Sequence, residues 1–143
     1  MCNVSVVVGM DAELDESSVN DVIQCEDRIV NQSLAVLPPG SKAEIQQEVD
    51  EVLQRFGYET TLVVIRRANS LALYFICLTL SALMSLRDQW SNESLKDIVQ
   101  SLFTVLSSAA HVVRVKRLTW SQTDYDRCVE FFRSSQGELI IKL

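Results

Sequence analysis

Histidine occurs once in the 143 residues, proline twice and glycine four times. With His111 as the sole imidazole, any Ser-His-Asp or Cys-His arrangement has a single candidate base, and that residue opens a Val-rich run. Four glycines leave little room for a phosphate-cradling loop. The sequence holds no nucleophile elbow, P-loop, dinucleotide glycine pattern or HExxH. The cysteines, Cys2, Cys25, Cys77 and Cys128, form no CxxC pair. Structural zinc needs four clustered thiolates or imidazoles, so distant parts would have to converge. The expectation is therefore no catalytic residue, no metal and no cofactor. Cys77 and Cys128 lie among apolar neighbours and read as buried free thiols.

What is present is a core. Apolar residues make up 48% and charged residues 22%, which excludes disorder and low complexity. Aromatics are only 7%, so Leu, Val and Ile must fill the interior. The length suits one domain over 1–143. No basic segment followed by an apolar stretch and cleavage site opens the chain, which predicts a cytoplasmic protein with reduced thiols.

The net charge of −6 is unevenly spread. Residues 1–59 carry 12 acids against 3 bases, and residues 60–143 carry 7 acids against 10 bases. An acidic chain is a poor nucleic-acid binder, because neutralising phosphates takes a dense basic surface. The basic second half offers a patch for an acidic protein, and the two halves together offer a surface for self-association. Nothing points to a small-molecule substrate.

The apolar spacing predicts nine elements. Residues 3–9 are a Val-rich strand, followed by an acidic turn from Asp11 to Ser18. Ser17 or Ser18 is placed as cap of a helix to about residue 36, with Val22, Ile23, Ile29, Val30 and Leu34 on its apolar stripe. Pro38-Pro39-Gly40 stops it, and Ser41-Lys42-Ala43-Glu44 matches a capping box for a second helix ending near Gly57. Strands over Glu59–Arg67 and Leu71–Leu78 flank a hairpin turn at Ala68-Asn69-Ser70, with Asn69 suited to positive φ.

Leu71 to Leu86 contains no charge, yet a membrane helix wants about 20 apolar residues. The preferred reading is a buried strand entering a buried helix; the alternative is a small membrane-associated protein with this stretch in lipid. Trp90-Ser91-Asn92 interrupts or merely bends that helix, whose later part carries Leu95, Ile98, Val99, Leu102, Phe103 and Leu106; a strand at His111–Leu118 follows. A helix from about Ser121 turns Tyr125, Cys128, Val129 and Phe132 inward, Gly137 ends it, and Glu138–Leu143 is a last strand. The sum is an α+β protein: a four- to five-stranded antiparallel sheet with helices packed on one face, a sandwich of ferredoxin-like type. Its other face must meet water or a partner. Arg114 and Lys116 share one strand face and are placed beside the strand ending in Arg66–Arg67.

The second half resembles the family of N-terminal, TRAF-binding domains of the TNF-receptor-associated death-domain adaptor, TRADD. Three stretches carry the likeness: Trp90-Ser91-Asn92-Glu93-Ser94-Leu95 with the apolar helix after it, HVVRVKRL at 111–118, and Asp124-Tyr125-Asp126-Arg127-Cys128-Val129. Motif-level similarity covers about residues 58–134. The resemblance implies a TRADD-N-like sandwich with a four-stranded antiparallel sheet and an adaptor role in innate-immune or cell-death signalling. It implies as partner a TRAF-type or death-signalling protein. The family's first-strand aromatic contacts correspond to valines near Val4 and Val6, and its hairpin contacts to Arg66 and Ala68. Together with the charge pattern, this makes Val7 an apolar contact and Arg66, Arg114 and Lys116 polar contacts on the open sheet face.

Overall fold

The computed structural model describes residues 4–37, 43–108 and 111–142, with 135–142 described by backbone alone. Four strands form one antiparallel sheet: β1 (Val6–Leu14), β2 (Thr60–Arg67), β3 (Leu71–Cys77) and β4 (Val115–Thr119), in the order β2-β3-β1-β4. The helices are α1 (Val22–Val36), α2 (Gln46–Leu53), α3 (Leu80–Ser91), α4 (Ser94–Ser107) and α5 (Gln122–Lys142). This is the α+β class that the alternation of elements predicts, and the central β1 between β3 and β4 is the split β-α-β arrangement.

Strict alternation fixes which side of the sheet is core. Val6, Val8, Met10, Ala12 and Leu14 on β1 are buried, as are Leu71, Leu73, Phe75 and Cys77 on β3. Side chains alternate along a strand, so all of these point to one side. There they meet Leu95, Val99, Leu102, Phe103 and Leu106 of α4, Ile29 and Val36 of α1, and Leu83 and Leu86 of α3. Phe56 packs edge-on against Phe75 at 5.1 Å. Burying one such side chain contributes about 1.5–3 kcal/mol.

Several boundaries differ from expectation. β1 continues through Asp11 and Glu13, where a turn is expected, because the acids occupy outward positions between buried Met10, Ala12 and Leu14. Asp21 caps α1, its carboxylate accepting from the Gln24 amide at 3.1 Å, and Asp15 caps the short 3-10 turn before it. Ser17 and Ser18 cap neither. The buried face of α1 is Cys25, Ile29, Ser33 and Val36, leaving Ile23 and Leu34 exposed. The capping box begins outside the described residues; α2 itself starts at Gln46, and Gly57 closes the segment at φ 111°, a conformation glycine tolerates.

The charge-free stretch Leu71–Leu86 divides into β3 and the first half of α3, with Thr79 capping α3 by accepting from the Ala82 amide at 3.0 Å. No helix among the described residues is long and apolar enough to cross a membrane. Ala68–Ser70 joins β2 and β3 as expected, but the non-glycine residues at positive φ are Glu93 and Ser108, not Asn69. β4 spans only Val115–Thr119. Where a strand is expected at 138–143, the described residues 138–142 are helical instead: α5 runs through Gly137 to Lys142. A short apolar run fits either state, and a helix closes its hydrogen bonds without needing a sheet edge.

Candidate binding face

α1, α3 and α4 meet the sheet through its buried residues, and α5 meets β1 at the flank. α5 fills the place beside β1 that β4 leaves empty, since β4 pairs only with Asp11–Leu14. There the Cys128 thiol lies 3.9 Å from the Val7 carbonyl. The opposite face of the sheet is partly exposed: Val7, Gly9, Asp11 and Arg66 are exposed, Glu13, Thr61, Val64, Tyr74 and Ile76 half-buried and Ala72 buried. It carries Val7, Gly9, Asp11 and Glu13 from β1; Ala72, Tyr74 and Ile76 from β3; and Thr61, Val64 and Arg66 from β2. Val7 is 62% exposed, and Phe131 of α5 is 49% exposed across a shallow groove shared with Ser5 and Cys128. Apolar side chains on an exposed face are the signature of a surface that another molecule covers.

The four residues singled out from the sequence fall in different places. Val7 and Arg66 are on the open face, and the Arg66 guanidinium lies 5.9 Å from the Tyr74 ring centre. Arg67, its neighbour in sequence, turns away to α1: its Nη1 donates to the Asp27 carboxylate at 2.9 Å and lies 3.4 Å from that of Glu26. Arg114 and Lys116 are not beside Arg66. β4 is one edge and β2 the other, with β3 and β1 between them. Lys116 sits at a bulge and, with Arg117, lies 3.9 Å from Glu13. Arg114 precedes β4; its carbonyl accepts from the Asp15 amide and its amide donates to the Ser18 hydroxyl. The hydrogen bonds from Ser17 hold the Asp15 carboxyl below its ordinary range.

Tyr74, Ile76, Val64 and Asp11 were not singled out, although the period-2 pattern of Leu71–Cys77 already places 72, 74 and 76 on one side. Their neighbours across the sheet follow from strand order, which no single segment states.

The chemistry of the remaining clefts is limited. His111 Nε2 is 2.7 Å from the Ser18 carbonyl, and its cleft includes Cys25 and Arg28. Burial pushes the Cys25 thiol up, which keeps it protonated and weakly nucleophilic. Burial likewise pushes the Cys77 thiol up to about 11. A second cleft of about 660 Å³ lies at the free edge of β2, between Leu53 and Gln54 on one side and Thr60 and Leu62 on the other. Among the described residues no three His, Cys, Asp or Glu side chains are grouped to hold a metal ion. Compared with family models, curated proteins and solved structures, the chain matches none.

Proposed function

We propose that the chain is a non-enzymatic protein-interaction domain, a cytoplasmic adaptor that binds its partner through the open face of the sheet. The observation that carries this reading is the face itself: exposed Val7 and half-buried Val64, Tyr74 and Ile76 form an apolar strip on the side opposite the core. Arg66 at one corner and Glu13 with Lys116 at another supply orientation, which is what rim charges contribute to association. The likeness of residues 58–134 to the TRAF-binding family supports a TRAF-type or death-signalling protein as partner.

The test is titration of a TRAF C-terminal domain into the wild type and into a chain carrying Val7→Asp and Tyr74→Asp, with circular dichroism as the folding control. Two buried-interface anchors replaced by charge weaken binding by at least about a hundredfold. Arg114→Glu with Lys116→Glu, at the far edge, slows association and leaves most of the affinity. Unchanged affinity of the Val7/Tyr74 variant, with a native spectrum, overturns the reading.

A further inference from the structure

The open face is a grid with the symmetry of a two-fold contact. Strand pairing aligns Arg66, Ala72 and Asp11 in one row, Val64, Tyr74 and Gly9 in the next, and Thr61, Ile76 and Val7 in the third. Tyr74 is the centre. Arg66 and Asp11 stand on either side of β3, about 10 Å apart by strand spacing. Among the described residues neither has an ion-pair partner, and Arg66 rests on the Tyr74 ring. Gly9 admits that ring, whose atoms lie 3.4 and 3.6 Å from where a side-chain carbon at this position would stand. Val64 stands on the other side of Tyr74, at the same height.

A second copy turned face to face about an axis along β3 complements every row. Arg66 meets Asp11 of the second copy, and the same pair forms again by symmetry. Val64 packs on the Tyr74 ring where it lies over Gly9, Thr61 covers Val7, and Tyr74 and Ile76 meet their own counterparts on the axis. α5, which flanks β1, then lies beyond the free edge of β2 in the second copy, where no strand stands in its way. We infer that the open face is occupied by a second copy of this chain in a two-fold, sheet-to-sheet dimer registered by reciprocal Arg66–Asp11 pairs. The inference rests on the open face being a binding surface: the second copy covers it in the free chain, and the partner proposed above displaces that copy. Sheets pack about 10 Å apart with their strands roughly aligned, which this axis provides.

The face spans three strands, about 15 Å by 20 Å, smaller than the interfaces of stable dimers. The dimer is therefore weak. The net charge of −6 on each copy also opposes it at long range, an effect that physiological salt screens.

The test is sedimentation velocity at physiological salt up to about 0.5 mM, where a weak dimer is populated. Three samples follow the wild type: the Arg66→Glu chain, the Asp11→Arg chain, and their equimolar mixture. Each reversal alone places like charges opposite one another twice and weakens association by at least about tenfold. In the mixture both contacts join opposite charges, so association returns to within about threefold of wild type. Both positions are exposed, and circular dichroism checks that both variants fold. A wild type that stays monomeric, single reversals that associate like wild type, or a mixture no stronger than its components each overturn the dimer. Failure here with Val7→Asp plus Tyr74→Asp still abolishing TRAF-domain binding removes only the second copy. Loss of neither removes the open face as a binding surface.

Discussion

Arg87 lies inside an aromatic enclosure built from three parts of the chain. Its guanidinium carbon is 4.2 Å from the Trp90 ring centre, 4.9 Å from Tyr125 and 5.0 Å from Trp120. It donates to the Trp120 carbonyl at 3.1 Å and to Gln122 Oε1 at 2.7 Å, and Trp90 Nε1 donates to the Leu118 carbonyl at 2.9 Å. These bonds fasten α3 to the β4–α5 corner. Arg87→Ala removes the cation–π and hydrogen-bond contributions and destabilises by about 2 kcal/mol, read by urea unfolding. Arg87→Lys recovers less than half, because an ammonium lacks the planar fork. The two tryptophans were legible as apolar residues; that they enclose a charged side chain was not. Arg87 reads as a flank of the uncharged stretch, and apart from Trp90, one helical turn on, its partners are 33 and more residues away.

At the scale of elements, the break between α3 and α4 is set by two adjacent residues. Asn92 ends α3, its side chain accepts from the Ser94 amide at 2.9 Å, and Glu93 adopts φ 66°, ψ 4°. Left-handed backbone costs a side-chain-bearing residue about 1 kcal/mol relative to glycine. Glu93→Gly therefore raises the urea midpoint, and the β-branched Glu93→Val lowers it. The interruption was foreseeable near Trp90-Ser91-Asn92, since Ser and Asn compete with the helix for backbone hydrogen bonds. The start of α1 was not: residues 11–21 hold several competent caps, and only tertiary packing selects Asp21. β1 was cut short for a related reason. Acids in succession suggest a turn, but alternation with buried residues makes Asp11 and Glu13 the wet side of a strand.

At the scale of the molecule, the class of fold followed from the order of elements, whereas the neighbours on the sheet did not. The order β2-β3-β1-β4 separates Arg66 from Lys116 and brings Arg66 within reach of Tyr74 instead. The same long-range assembly buries a carboxylate. Glu26, on the buried side of α1, is 6% exposed and 3.4 Å from Arg67. Burial raises its pKa, Arg67 opposes the rise, and Asp27 adds to it. A raised folded value means that the native state binds the proton more tightly than the unfolded chain. The stability from this group is therefore complete below the ordinary glutamate value and is lost as pH climbs through the raised one. Glu26→Gln mimics the protonated form. It is expected to be more stable than wild type at neutral pH and to lose that margin in acid, measured by urea unfolding at both. Trp90 and Trp120 stand edge to face at 6.5 Å. No other residue of the chain is a tryptophan. The indole absorption bands of such a pair mix, so the far-ultraviolet dichroism carries an exciton couplet that reports one corner alone. Separating α3 from the β4–α5 corner extinguishes this signal while fraying of β2 at the opposite edge leaves it intact, and the chain thus holds its own optical gauge of which side opens first.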